Sequence, residues 1–509
     1  MNKTPVLNET VLMPRLASMF PFVVVILVSA FAFVAGYTGF FNGLPDWQFN
    51  ALMGLCAFFP VLQTVGLLSF TWKHFRAQNT GMVADKAFST YAFVVPIFNE
   101  DVGTIEFTLE CLARHCNARR HYVVILAFEE RMRHAGSAAV QTHLKEKFTR
   151  RFAHIVYNWH NLSADECAGK ASNVSAAVVN FACWAEEQAI NFDSCALTVM
   201  DSDSLISEAY MKLLQIRASR MSSDALNLKI FAPYMTFYGT QHTSWPVRVT
   251  DAIWSTLSVA SLCRPFLPGF PVSTYTLTLQ HARQMGYWET GDVGIGEDWH
   301  TVARSFFASG GSSAETIVAP FAAQHVPTFL ARYNQSKRHA YGHQSIGYVI
   351  WKIMSCSVPA GGMVGALRLL VAMTEVCLYT VMPIAVALFA GGKVAAGKQN
   401  MLSAESEEVP MVLLLLFVPH LMFASILHHC EPTKFFSVLS DIAPGKKYIS
   451  ICQGIENCTQ LLFRFAMFVL LANVCATFLF LVPTIHSYCV VAMARPHYVT
   501  AAKVMTTNI

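Results

Sequence analysis

The chain has 509 residues, 54% hydrophobic and only 13% charged, where an ordinary soluble protein carries about 25% charged residues, and its mean hydropathy is +0.40. That deficit excludes a disordered or collagen-like chain and argues against a wholly soluble protein. The 36 basic and 32 acidic residues leave a net charge of +4, too small an excess over this length for a nucleic-acid binder; the 14 cysteines form no CxxC pair, so neither a zinc module nor a disulfide framework is indicated.

From the N-terminus, no charged residue falls between Leu16 and Pro45, and after Asp46 a second uncharged run extends from Trp47 to Trp72. A bilayer core needs about 20 apolar residues in a helix, so residues 16–72 are expected to form a transmembrane hairpin. Lys3 and Arg15 precede it, and Lys73, Arg76 and Lys86 come after it. The excess of basic flanks puts both ends of the hairpin, and the chain beyond Trp72, in the cytoplasm.

Residues 78–345 have the composition of a folded soluble domain. Short β-rich runs at Tyr91–Pro96, Tyr122–Phe128, His154–Asn158, Ala196–Met200 and Lys229–Tyr234 alternate with helix-period stretches such as Ala168–Gln188 and Ser207–Ser219. The alternation predicts an α/β domain of Rossmann-like kind, with a mostly parallel sheet covered by helices on both faces. Ligands in such sheets bind beyond the carboxyl ends of the strands, and acidic residues stand there: Asn99-Glu100 after the first strand, Glu129-Glu130 after the second, and Asp201-Ser202-Asp203 after the fourth. Carboxylates gathered in one crevice repel one another unless a cation or a hydrogen-bonding ligand joins them. On an extended backbone the two aspartates of Asp-x-Asp share a face, which suits Mn²⁺ or Mg²⁺ held together with substrate phosphates; the alternative is a helix N-terminus, with Ser204 or Ser207 starting the next helix. Lys170 opens the helix before that strand, where a phosphate or a carboxylate would meet it, unless it is an ordinary surface lysine. Downstream, Gly294-Ile295-Gly296 precedes Glu297-Asp298-Trp299 and an amphipathic run to Ser309. Acids at a helix N-terminus are favoured by the dipole and serve either as a general base or as caps. Gln335-Ser336-Lys337-Arg338-His339 is basic and leads to the membrane, as a surface anchor or as a phosphate contact.

Beyond this domain, 346–364 reads as an interfacial segment, 365–486 as C-terminal spans with candidates at Val376–Gly392, Val409–Leu427 and Phe465–Ile485, and 487–509 as a tail. Glu375, near the end of a span, is expected to reach the interface; a buried, functional carboxylate is the alternative.

Taken in order, these motifs resemble the membrane-integrated family 2 glycosyltransferases, which include cellulose, chitin and hyaluronan synthases and ceramide glucosyltransferases. The resemblance implies a GT-A catalytic domain facing the cytosol in a multi-pass membrane protein, with Mn²⁺ or Mg²⁺ as cofactor and a nucleotide-sugar donor. It implies that Pro96, Asn99 and Glu100 wall the nucleotide, with Glu129 beside it, and that Lys170 lies near the diphosphate. Asp201 and Asp203 would take the metal, Asp201 also touching the donor. Asp298 would be the catalytic base, and Gln335 and Arg338 would close over the donor. Trp288, Glu297 and His339 fall on the acceptor side. His339 stands where the family has tryptophan, which weakens a processive reading, and Glu129-Glu130 replaces the more usual aspartate. The expected activity is inverting, metal-dependent transfer, with a UDP-sugar as the leading donor, to a growing glycan. Glycosylation of a membrane lipid is the first alternative, and a transporter or scaffold without catalysis the second.

Overall fold

The computed structural model describes residues 19–38, 60–73, 87–131, 137–239, 243–310, 313–359, 362–375, 421–425 and 474–493, with a few single positions besides. Its strands are β1 Thr90–Ile97, β2 Tyr122–Glu129, β3 His154–His160, β4 Cys195–Val199, β5 Leu205–Ile206, β6 Lys229–Tyr238, β7 Tyr275–Thr278 and β8 Ser313–Gln324. They form one sheet in the order β3-β2-β1-β4-β7-β6-β8-β5. The half that runs β3-β2-β1-β4 is parallel. β7 then runs antiparallel to β4 and β6, β8 returns parallel to β6, and β5 is antiparallel to β8. The register of β6 on β8 slips between Pro233 and Tyr234, where proline has no N–H to give to the ladder.

The longer helices are α1 Phe20–Thr38, α2 Val102–Ala113, α3 Ser137–Phe148, α4 Lys170–Glu187, α5 Glu208–Ala218, α6 Trp245–Cys263, α7 Glu297–Ser309, α8 Phe329–Ala340, α9 Gln344–Met354 and α10 Val482–Met493. Successive strand side chains point to opposite faces, so β1 sends Ala92 and Val94 into one core with Val174 and Phe181 of α4. Phe93, Val95 and Ile97 enter a second core with Leu109 of α2, Leu144 of α3 and Leu214 of α5. Burial on both faces explains why β1 and β2 read as unbroken apolar runs rather than as alternating ones.

All five expected strands form, within a few residues of their expected ends. β5, β7 and β8 were not foreseen, and they make the sheet mixed in its second half. β7 has only four residues, too few to display a period, and β5 has two.

The expected spans lie partly outside the described residues, Val376–Gly392 and Val409–Leu427 almost wholly so. Among the described residues one helix, Val474–Val491, is long and apolar enough to cross a membrane, and Phe20–Ala35 is apolar but shorter. The helical residues 60–73 pack Leu67 and Phe70 against Ala232 and Tyr234 of β6 and Val259 of α6. Glu375 does not reach an interface as expected. It is 3% exposed, pairs with the guanidinium of Arg264 at the end of α6, and accepts from Gln63 Nε2 at 2.7 Å. The reason is packing: Glu375 is enclosed by the α/β domain and the 60–73 helix, and a buried carboxylate persists only when paired.

Candidate active site

The carboxyl ends of β1, β2 and β4 lie side by side because the three strands are parallel neighbours. The chain after β4 turns at once: Ser204 N donates to Asp201 O at 3.0 Å. The Asp-x-Asp tripeptide is therefore a turn, not the extended segment that the shared-face argument assumed, and its two acids have different surroundings. The Asp201 side chain is 35% exposed, whereas Asp203 is 1% exposed and its carbonyl accepts from Tyr238 Oη at 2.9 Å. Neither acid caps the following helix; Ser207 does so, accepting from Tyr210 N.

Lys170 is the first residue of α4. Gly169 before it has φ 158° and ψ −173°, a conformation open essentially to glycine, and this turns the lysine inward. Its Nζ lies 2.9 Å from Asp201 Oδ1 and 2.8 Å from Glu297 Oε1, and donates to the Ser273 carbonyl at 2.6 Å. Three protein oxygens therefore surround the ammonium. Lys170 thus brings Asp201 and Glu297 together on one ammonium. Burial alone would lower its pKa, but Asp201 and Glu297 outweigh that and hold it well above the ordinary lysine value.

Glu297 and Asp298 begin α7. The N-cap is Gly296, with no side-chain cap bond, so neither acid is the N-cap residue. A Cβ on Gly296 would overlap Cα of Gly342, and one on Gly294 would overlap the Glu289 carbonyl; the glycines let this turn press against neighbouring backbone. Asp298 Oδ2 accepts from Ser273 N at 3.1 Å and Oδ1 from Trp299 N at 2.9 Å. Each carboxylate oxygen keeps a further lone pair able to accept from another donor. Burial raises the pKa of Asp298, against the pull of Lys170 and of these two N–H groups. Burial also pushes Glu297 up to about 7, although Lys170 pulls it down.

Ser273 joins both sides of this arrangement, its carbonyl on Lys170 and its N–H on Asp298. It has φ 55°, a left-handed conformation uncommon for a residue with a Cβ and of the kind that concentrates at functional sites. Sequence inspection missed it, since nothing in Pro271-Val272-Ser273 marks a strained backbone.

At the β1–β3 ends, Pro96 is half-buried and Asn99 exposed, while Glu100 Oε2 takes the Phe98 N–H at 2.7 Å. Glu129 is 2% exposed and paired with Arg131, whose guanidinium lies 5.1 Å from the Phe98 ring. His160 stands opposite Glu129 across the β2–β3 ladder, between Glu166 Oε2 at 3.0 Å and Asn173 Oδ1 at 3.2 Å. Burial pulls the imidazole pKa down, but Glu166 outweighs it and holds the ring above its ordinary value. His160 and Arg131 are further residues of this edge that sequence motifs did not single out.

On α8, Gln335 Oε1 accepts from Arg332 Nη1 at 2.6 Å. His339 is near enough to Asp201 and Lys170 to feel both charges; burial first, then Arg338 and Arg332, hold it well below the ordinary histidine value. Trp254 of α6 lies edge-on to the His339 ring, centroids 4.8 Å apart. Trp288, expected on the acceptor side, is instead 1% exposed in the core. Its indole N–H donates to Tyr275 Oη at 2.5 Å, and the adjacent turn buries its large ring beneath the site.

Mn²⁺ and Mg²⁺ need one or two carboxylates plus substrate phosphates. Asp201 offers one exposed carboxylate, with Asp203 buried behind it. Among the described residues no group of three or more His, Cys, Asp or Glu side chains could hold a metal unaided. The donors fit a cation completed by phosphates, not a closed protein cage.

Residues 196–427 match the family model described as glycosyl transferase family group 2. No curated protein sequence matches the chain. Among solved structures the chain is similar to a mannosyltransferase, PcManGT, from Pyrobaculum calidifontis in complex with GDP-Man and Mn²⁺, at 13% identity over 77% of this chain and 100% of that one, with TM-score 0.43. It is also similar to S. aureus TarS, at 13% identity over 61% of this chain and 55% of that one, with TM-score 0.31. The matched segment, a little under half of the chain, is thus similar to a family 2 glycosyltransferase domain, and it takes in the mixed half of the α/β sheet.

Proposed function

We propose that the enzyme moves a sugar from a nucleotide-sugar donor, a UDP-sugar first among the candidates, onto a growing glycan at the cytosolic face of a membrane. The observation that carries this reading is the convergence of Asp201, Glu297 and Asp298 around Lys170 and Ser273, at the strand edge where α/β sheets bind ligands. Asp298, raised in pKa by burial and held by two backbone N–H groups, accepts the proton of the acceptor hydroxyl. That oxygen bonds to the anomeric carbon as the bond to the diphosphate oxygen breaks, and the nucleoside diphosphate leaves with the electron pair. A single displacement inverts the anomeric centre, so no second carboxylate nucleophile is needed. Lys170 keeps Asp201 and Glu297 in position, and Arg338 on α8 meets the leaving charge. Asp201, backed by Asp203, would hold a divalent cation, which when bound neutralises charge on the diphosphate.

Membrane attachment is supported by apolar side chains turned outward on α1 and on the 60–73 helix, among them Leu27 at 63% and Leu68 at 66% exposure. Soluble surfaces seldom carry such contiguous apolar belts.

The test is a thermal-shift panel of UDP- and GDP-sugars with Mn²⁺ on the detergent-solubilised full chain, followed by radiolabelled transfer. One donor should raise the melting temperature. Asp298→Asn should keep that shift while losing 10²- to 10⁴-fold in turnover, the range for a lost general base. Full turnover in that variant, or no response to any nucleotide sugar, would overturn the reading; label partitioning into organic solvent would replace the glycan by a lipid acceptor.

A further inference from the structure

Behind α8 lies a buried charge cluster that the chemistry above does not use. Asp251 on α6 is 1% exposed, Arg332 on α8 is 1% exposed and His325, just after β8, is 6% exposed. One Asp251 oxygen is paired with the Arg332 guanidinium and the other with His325 Nδ1. Aromatic rings close the cluster: His325 stacks on Phe237 with centroids 5.1 Å apart and planes at 17°, and the Arg332 guanidinium lies 5.4 Å from the Trp254 ring. Such a cluster is costly to bury and adds little net stability over an apolar core, so its position matters more than its energy.

That position is one helical turn from the site on two helices at once. Trp254, which meets His339, follows Asp251 by three residues on α6. Gln335 and His339 follow Arg332 by three and seven residues on α8, on the same helical face. A guanidinium can only donate, so the Arg332–Gln335 bond fixes which end of the carboxamide faces the arginine: the oxygen. The Gln335 –NH₂ is thereby oriented as the donor end for a ligand oxygen.

We infer that Asp251 is a positioning residue of the transferase site: by fixing the buried Arg332 it sets the Gln335 carboxamide with its amide ready to donate to the donor's diphosphate. This rests on the reading of Gln335 as a donor-binding residue. Asp251 touches no substrate; it acts through Arg332, and a double-mutant cycle reports that kind of coupling.

The probes are UDP and GDP with Mn²⁺, titrated calorimetrically into the detergent-solubilised full chain. Four proteins are compared: wild type, Asp251→Asn, Gln335→Ala and the double variant. Asp251→Asn is expected to weaken the preferred diphosphate about 10-fold, equivalent to about 1.4 kcal/mol. Gln335→Ala should weaken it by a similar factor, and the double variant should be no weaker than Gln335→Ala alone. Losses that multiply to about 100-fold would overturn the inference, because a merely structural Asp251 would weaken binding independently of Gln335. Should Asp251→Asn fail to fold, Arg332→Lys replaces it in the cycle. A lysine keeps the charge beside Asp251 but lacks the fork that spans Asp251 and Gln335, so wild-type affinity in that variant also overturns the inference. If wild type binds neither diphosphate, the nucleotide-sugar reading itself has failed, a result distinct from an additive cycle.

Discussion

Burial resists the charge of Glu297, and removing that charge gives a defined result. Burial lifts its pKa from the ordinary 4.5 to about 7 despite Lys170 at 2.8 Å. A group whose folded pKa is raised stabilises the fold below its unfolded pKa, and that contribution is lost as pH rises through the folded value. Between pH 5.5 and 8.5, values of 4.5 and about 7 give a loss of about 2 kcal/mol, at 1.36 kcal/mol per pKa unit. Glu297→Gln has nearly the same shape, keeps an oxygen for Lys170 and has no charge to lose. Wild type should therefore lose about 2 kcal/mol more than the variant over that range, roughly 4–8 °C in melting temperature for a domain of this size. The measurement is the melting temperature of both proteins at pH 5.5, 7 and 8.5 in one detergent and at constant ionic strength. Parallel curves would refute the reasoning, since Glu297 would then ionise as freely in the folded protein as in the unfolded one.

Ser273 supplies a backbone test: Ser273→Gly accepts φ 55° without a Cβ and should be neutral or stabilising by about 1 kcal/mol, with transfer retained. Ser273→Pro removes the N–H on Asp298 and fixes φ near −65°, so circular dichroism and transfer should both show loss. Lys170→Met leaves Asp201 and Glu297 without their cation and should cost about 3–5 kcal/mol in chemical denaturation, the range for breaking a buried pair. If enough folds to measure, the acid limb of the pH–rate profile should move upward, because Lys170 now lowers the pKa of Asp298. Gly296→Ala pushes a methyl group into Gly342 and should lower stability by about 1–3 kcal/mol, the usual cost of overpacking, with turnover falling alongside.

The parallel half of the sheet was legible because β1 and β2 are buried on both faces, and such strands must be almost wholly apolar. The acids at their ends stood out as the first charges after those runs. The mixed half was not legible: β7 shows four residues and no period, and its pairing with β4 depends on contacts about 80 residues away along the chain. Distance in sequence also hid Ser273, whose role lies in its backbone, and Asp251, which reads as one acid inside an amphipathic helix until Arg332 and His325 are seen around it. Trp288 misled in the opposite direction, since an aromatic beside an acidic turn looks the same in sequence whether it lines a cleft or fills a core.

By itself the sequence determined that apolar segments flank an α/β domain, and that acids follow its parallel strands; both are consequences of local hydrophobic pattern, which burial dictates residue by residue. Only the tertiary structure decided which of those acids share a charge environment. Asp201 and Asp203, two residues apart, are divided by a turn into one exposed carboxylate and one buried, while Asp201 and Glu297, nearly a hundred residues apart, meet on the same ammonium. Coulomb interactions and burial act through space, and the sequence records neither until the chain has closed on itself.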